Sequence, residues 1–123
     1  MLRRIVPLVI VAGFASNALA LDGDPVAGKV VFQRTCQTCH SAEIGINKIG
    51  PSLWNVVGRQ PAKVPDYAYS ETMKLNTTPW TPAALDIYIA DPRGDIHGVK
   101  MYFKGLPDTK ERADVVAYLS TLK

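Results

Sequence analysis

The sequence predicts an all-α domain with about three main helices joined by long loops. Three segments combine helix-start residues, helix-stop residues and apolar positions at helical spacing. The connections at residues 41–80 and 91–107 are rich in Gly, Pro, Asn and Asp. Because loops of that length are uncommon in a compact domain unless they have a function, we expect them to contribute to the functional site.

The first helix is predicted to begin after Asp24, a favourable N-cap residue, with Pro25 at its first position. Gly28 lowers the helix propensity of this segment, which indicates close approach of another backbone. We expect the apolar side chains of this helix to face the core: Val26, Val30, Val31 and Phe32. The helix runs directly into the cysteine-containing segment discussed below.

The second helix is predicted within "TPAALDIYIADP", where Thr81 is the cap and Pro82 the first helical residue. Pro92 disfavours helical backbone at the residue before it, so the helix should end at or before Asp91.

The third helix is predicted within "DTKERADVVAYLSTLK". Asp108 is its expected N-cap, and Glu111 stands three residues later as in a capping box. Four apolar residues recur at helical spacing and are expected to pack in the core: Val115, Val116, Leu119 and Leu122.

Residues 1–20 are typical of a secretory signal peptide. A basic start, "MLRR", precedes the apolar run "IVPLVIVAGFA", and small residues stand at Ala18 and Ala20. We expect cleavage after Ala20, a periplasmic product and a single domain at residues 21–123. The alternative is a retained membrane anchor, but the run is broken by Pro, Gly, Ser and Asn, whereas a span needs about 20 apolar residues.

Removal of residues 1–20 takes away Arg3 and Arg4, so the 14 basic and 11 acidic residues become 12 and 11. The net charge falls from +3 to +1. With no basic run left to follow a phosphate backbone, the sequence excludes nucleic acid as a partner.

Cys36 and Cys39, the only two cysteines, are followed directly by His40. This C-x-x-C-H pattern is the attachment motif of a c-type haem. Thiols three residues apart near a helix turn lie on one side and can bind two vinyl groups of one porphyrin edge. The next residue then offers an imidazole to the iron. A haem would also complete a hydrophobic core that three short helices leave thin.

Two other interpretations of the cysteines are weaker. A disulfide across two intervening residues closes a very small loop and adds little stability. A thiol–disulfide oxidoreductase places its C-x-x-C after a β-strand, whereas a helix precedes this pair. The residues alone leave the sixth position of the iron unassigned: His97, Met101, Met73, a lysine, or an open position that would suit a haem enzyme or sensor.

Further segments follow the attachment motif along the chain: "GPSLWNVVGR", "YAYS", Trp80, "YIADP", "KMYFKGL" and "ERADVVAYL". Their order and spacing match those of one protein family over nearly all of residues 24–122. Together they resemble a class I cytochrome c of the soluble mitochondrial and bacterial electron-carrier type. The resemblance implies the cytochrome c fold, with loops wrapped around one covalently bound haem c. It implies a one-electron carrier whose iron alternates between Fe(II) and Fe(III), and not an enzyme.

The resemblance also implies residue roles. Cys36 and Cys39 would attach the haem, with His40 and Met101 as the axial ligands of its iron. The other implied haem-binding residues are Pro51, whose carbonyl would hold the ring of His40, Arg59, Tyr69 and Trp80 at the propionates, and Tyr88 near the sulfur of Met101.

The implied partners are redox proteins: membrane cytochrome complexes, a terminal oxidase, a photosynthetic reaction centre or a periplasmic dehydrogenase. We expect a monomer with no stable membrane insertion after cleavage. Six basic residues match family positions near the exposed haem edge: Lys29, Arg34, Lys48, Arg93, Lys100 and Lys104. The chain departs from the family in the ligand loop, where His97 and Val99 replace the usual proline and threonine.

Overall fold

The computed structural model describes residues 9–13 and 22–123, and this part of the chain contains α-helices and no β-strands. There are five helices in it: α1 (Pro25–Thr35), α2 (Glu71–Leu75), α3 (Pro82–Ala90), α4 (Pro92–Asp95) and α5 (Thr109–Leu119). The predicted all-α class is confirmed. The predicted cleavage after Ala20 lies outside the described residues.

Helices α2 and α4 are additions to the three predicted elements. They contain 5 and 4 residues, which is too short for an apolar periodicity to reveal them. Each begins at a capping side chain, Ser70 for α2 and Asp91 for α4. None of the helices in the described part of the chain is long and apolar enough to cross a membrane.

The three predicted N-caps are confirmed. Oδ1 of Asp24 accepts the backbone N–H of Val26 at 2.9 Å, and Oδ1 of Asp108 accepts that of Glu111 at 3.0 Å. Thr81 caps α3 in the same way, through a hydroxyl that accepts a backbone N–H at 3.1 Å. The predicted capping box is only half formed, because the carboxylate of Glu111 binds the guanidinium of Arg34 at 2.8 Å. That ion pair links α5 to α1.

Helices α1 and α5 pack against each other at Gly28. A Cβ atom built on Gly28 would lie 1.8 Å from the carbonyl oxygen of Asp114 and 2.9 Å from Cβ of Tyr118. The predicted close approach of another backbone is therefore confirmed. Beside this contact, the aromatic rings of Phe32 and Tyr118 lie 5.3 Å apart.

The face of α1 that points to the core differs from the prediction. Val31 and Phe32 are buried, as expected, but Val26 and Val30 are 75% and 59% exposed. An α-helix turns by about 100° per residue, so Val26 and Val30 lie roughly opposite Gly28, where α5 crosses. Three of the four apolar residues of the predicted C-terminal stripe lie in α5 and the fourth, Leu122, follows the end of that helix; all four are buried, as expected.

Candidate cofactor-binding site

A cavity of about 620 Å³ opens between α1, α3, α5 and the long loops. Its volume falls within the about 300–1,000 Å³ that is usual for ligand and cofactor sites. All nine predicted site residues line it: Cys36, Cys39, His40, Pro51, Arg59, Tyr69, Trp80, Tyr88 and Met101. Most of the other lining side chains are apolar, and none of the lining residues is an aspartate or glutamate.

The end of α1 positions the two cysteines and the histidine. Cys36 is the C-cap of α1, and its N–H donates to the carbonyl of Phe32 at 2.8 Å. The chain then turns once more, with the N–H groups of Cys39 and His40 both donating to the carbonyl of Cys36, at 3.1 and 2.9 Å. This tight turn directs all three side chains to the cavity.

Both cysteines are half-buried, and they do not form a disulfide with each other. Burial and, to a smaller extent, the neighbouring Cys39 together raise the pKa of Cys36 to about 11. A redox-active thiol needs a lowered pKa, because the thiolate is the nucleophile. The electrostatics of the pair therefore disfavour a thiol–disulfide oxidoreductase.

His40 presents one ring nitrogen to the cavity. Its Nδ1 lies 2.7 Å from the carbonyl oxygen of Pro51, to which it can only donate, so the tautomer with a proton on Nδ1 is fixed. Burial lowers the pKa of His40, which keeps the ring neutral. A neutral imidazole with a free Nε2 and a hydrogen-bonded Nδ1–H is the usual form of a metal-binding histidine.

Two of the candidates for the sixth position of an iron are thioethers, those of Met101 and Met73. Both side chains are half-buried, and both residues line the cavity. Lys100 lines it as well, although its Nζ donates to the carbonyl of Ala68 at 3.0 Å. His97 is exposed and is not part of the lining.

Tyr88 is buried beside Trp80, with the two ring centroids 4.9 Å apart. Burial raises the pKa of Tyr88 to about 12, with smaller contributions from Asp95 and Tyr67. Its hydroxyl therefore stays protonated at neutral pH and can donate a hydrogen bond into the cavity.

Arg59 brings a cation to the cavity wall. One of its guanidinium nitrogens donates to the carbonyl of Trp54 at 2.8 Å and to that of Ser52 at 3.2 Å, which fixes its position. Burial lowers its pKa, yet a guanidinium remains charged at neutral pH. The hydroxyl of Tyr69 accepts the N–H of Val64 at 3.1 Å, which leaves its own O–H free to donate. This part of the wall suits an anionic group.

Many lining residues were not among the predicted site residues, and Gly50, Tyr67 and Phe103 are three of them. Gly50 stands directly before Pro51 and Phe103 lies close after Met101, so their neighbours indicated the region. Tyr67 lies two residues before Tyr69 in the same "YAYS" segment. The sequence does not show which side chains of such irregular loops turn inwards.

The cavity fits a covalently attached haem. It combines an apolar interior, two thiols on one wall, a neutral imidazole with a free nitrogen, and cationic and hydroxyl groups suited to carboxylates. Among the described residues, no cluster of three or more His, Cys, Asp or Glu side chains could bind a metal ion by itself. A porphyrin supplies four ligands and requires only axial ones from the protein.

Known proteins support the same assignment. The family model described as "Cytochrome c" matches residues 25–123. Cytochrome c2 of Rhodopila globiformis is 48% identical over 104 residues, which cover 85% of this chain and 98% of that protein. Cytochrome c-type cyt cy of Rhodobacter capsulatus is 45% identical over 102 residues, which cover 83% of this chain. The chain spans about half, 51%, of the length of that second relative.

The fold also has a counterpart among solved structures. Cytochrome cH from Methylobacterium extorquens superposes with a TM-score of 0.75 at 37% sequence identity. The similarity covers 80% of this chain and 99% of that one.

Proposed function

The chain belongs to the cytochrome c family, whose members carry electrons on one covalently attached haem c, and we propose that His40 and Met101 are the axial ligands of its iron. The observation that carries the proposal is the 2.7 Å hydrogen bond from Nδ1 of His40 to the carbonyl of Pro51. It leaves Nε2 as the donor atom in a cavity that Met101 also lines.

When bound, the haem supplies an iron that alternates between Fe(II) and Fe(III). Cys36 and Cys39 hold it by thioether bonds, so that it is not lost. The carbonyl of Pro51 increases the basicity of His40 through the Nδ1–H bond. The thioether of Met101 favours the ferrous state and raises the reduction potential. Choosing Met101 over Met73 rests on the family resemblance of "KMYFKGL", since both sulfurs border the cavity.

Three polar side chains are proposed to bind the propionates of the haem. Arg59 offsets their charge, while Tyr69 and Trp80 donate an O–H and an N–H. This role is consistent with the fixed guanidinium of Arg59 and the free O–H of Tyr69. The protonated hydroxyl of Tyr88 is proposed to donate to the sulfur of Met101. The apolar walls exclude water, so little reorganisation accompanies the transfer of an electron.

The finer features of the function are proposed as well. Residues 1–20 are removed as a signal peptide after Ala20, and the domain at residues 21–123 acts in the periplasm as a monomer with no catalytic residue. Its partners are redox proteins such as membrane cytochrome complexes, a terminal oxidase, a photosynthetic reaction centre or a periplasmic dehydrogenase. Tyr102, which is 92% exposed on the cavity wall and lies under the guanidinium of Arg93 at 4.3 Å, offers such partners an apolar and cationic contact.

A redox titration followed by absorption, together with exposure of the reduced protein to carbon monoxide, tests this function. We expect the absorption bands of a c-type haem, one reversible one-electron transition and no binding of carbon monoxide. Carbon monoxide binding would show an open sixth position and would favour a haem enzyme or sensor. A protein without haem bands but with a reducible disulfide would restore the oxidoreductase interpretation.

A further inference from the structure

Gly50 lies against the imidazole of His40. A Cβ atom built on Gly50 would fall 2.3 Å from Cε1, 2.7 Å from Nδ1 and 2.8 Å from Nε2 of that ring. Real Cβ atoms do not approach other atoms this closely, so a side chain at position 50 would displace the imidazole. The backbone of Gly50 does not have the positive φ that favours glycine. Position 50 therefore requires glycine for space and not for backbone conformation.

The peptide unit that joins Ile49 to Gly50 is hydrogen-bonded at both ends. Its N–H, on Gly50, donates to the carbonyl of Cys39 at 2.7 Å. Its carbonyl oxygen, on Ile49, accepts the hydroxyl of Tyr67 at 3.0 Å. The first hydrogen bond links the peptide unit to the attachment motif, and the second links it to the loop that contains Tyr67. The plane of the peptide unit therefore has little freedom to tilt.

The residue that follows Gly50, Pro51, is the hydrogen-bond partner of His40. The carbonyl of Gly50 accepts the N–H of Lys48 at 2.9 Å, and the carbonyl of the next residue, Pro51, binds Nδ1 of His40. The imidazole therefore has Gly50 against its ring and Pro51 at its edge, both on one segment that is fixed by hydrogen bonds. A ring held in these two ways has a defined rotation as well as a defined tautomer.

We propose that Gly50 is a positioning residue that sets the orientation of the His40 imidazole plane, and that Tyr67 supports it through the carbonyl of Ile49. The proposal rests on the proposed ligation of iron by His40. A methyl group at position 50 pushes the ring away and weakens the Nδ1–H bond to Pro51. Because that bond increases the basicity of the ligand, its weakening destabilises the ferric state and raises the reduction potential.

The test compares haem-loaded Gly50→Ala with Gly45→Ala. Gly45 belongs to the same loop, has a φ of 74° and has no atom within 4 Å of a built Cβ. Gly45→Ala therefore strains the backbone without touching His40. We expect Gly50→Ala alone to change the paramagnetic NMR shifts of the ferric haem methyl groups, which report the imidazole plane, and to raise the reduction potential. Wild-type NMR shifts and potential in Gly50→Ala would overturn the proposal.

If Gly50→Ala does not retain haem, a second variant tests whether this peptide unit orients the imidazole of His40. Tyr67→Phe keeps the ring, which packs edge-on against Tyr69 with centroids 4.7 Å apart, and removes only the hydroxyl. A smaller change of the NMR shifts in the same direction supports the proposal, and shifts identical to wild type overturn it. Absence of the axial imidazole resonances from the wild-type spectrum would instead refute ligation by His40, on which the proposal rests.

Discussion

The carbonyl oxygen of Asp114 lies where a side chain at Gly28 would have to be, 1.8 Å from a Cβ built there. This contact fixes the position at which α1 and α5, the first and last helices of the described domain, cross each other. Near it, the carboxylate of Asp114 accepts the backbone N–H of Asp24 at 2.8 Å. The packing of α1 on α5 therefore depends on the absence of a side chain at Gly28 and on the buried carboxylate of Asp114. Mutation can test both dependences.

Gly28→Ala is expected to destabilise the protein because backbone on α5 must move to admit a methyl group. Overpacking of this kind costs about 1–3 kcal/mol. Val30→Ala is the control on the same helix, and it should change the free energy of unfolding by less than about 0.5 kcal/mol because Val30 faces solvent. Denaturant titration of both haem-loaded variants measures the difference. Equal stabilities would show that α1 and α5 do not pack closely at Gly28.

Asp114 should make stability depend on pH in the acid range. The N–H of Asp24 and then the ammonium of Lys110, at 3.0 Å, lower the pKa of Asp114 below its usual 3.8. The folded state thus favours the carboxylate, and its stabilisation is complete above the unfolded pKa and lost as the pH falls through the lower folded pKa.

Asp114→Asn is expected to be less stable than wild type by a constant amount near neutral pH. The difference should shrink as the pH is lowered below about 4, where Asp114 of the unfolded chain takes up a proton, and it should be lost as the pH falls through the lower folded pKa. Thermal unfolding at a series of pH values measures it. A difference that stays the same down to the lowest pH would mean that the charge of Asp114 contributes nothing.

The apo-protein should lack a cooperative fold, since the haem fills the cavity between the helices. Changing both Cys36 and Cys39 to Ala is expected to leave an exported but largely unstructured chain. Far-UV circular dichroism of the haem-free variant checks this. Native helix content and a sharp unfolding transition without haem would contradict it.

Docking on an acidic partner should make electron transfer slower as ionic strength rises, because opposite charges steer association. Lys104→Gln, next to the cavity-lining Phe103, is expected to reduce this salt dependence. Lys123→Gln removes the same charge at the end of the chain and is the control. Stopped-flow rates with a purified redox partner decide the point, and a rate that is flat or rises with salt excludes an acidic docking surface.

Local features of the fold were predictable, whereas the packing of the helices was predictable only in part. The caps Asp24, Thr81 and Asp108 act on backbone N–H groups two or three residues away, so sequence suffices to find them. The buried face of α1 depends on where α5 crosses it. That explains why Val26 and Val30 were wrongly assigned to the core although Gly28 already marked the crossing.

The site was predictable to the extent that its residues lie in sequence motifs. All nine predicted residues line the cavity, because the motifs keep family spacing through the loops. Gly50 and Tyr67 act through backbone carbonyls and close packing, and such contacts leave no pattern in a single sequence. The sequence already offered Met101 and Met73 as rival ligands, and both residues line the cavity.

The most direct test of axial ligation compares Met101→Ala with Met73→Leu, since each variant removes one of the two thioethers that border the cavity. The measurement is the ferric absorption band that arises from an iron–sulfur(Met) bond, recorded during a redox titration. We predict that the band is present in wild type and in Met73→Leu and absent from Met101→Ala, with a lowered reduction potential only in Met101→Ala. A band that survives in Met101→Ala would contradict ligation by Met101.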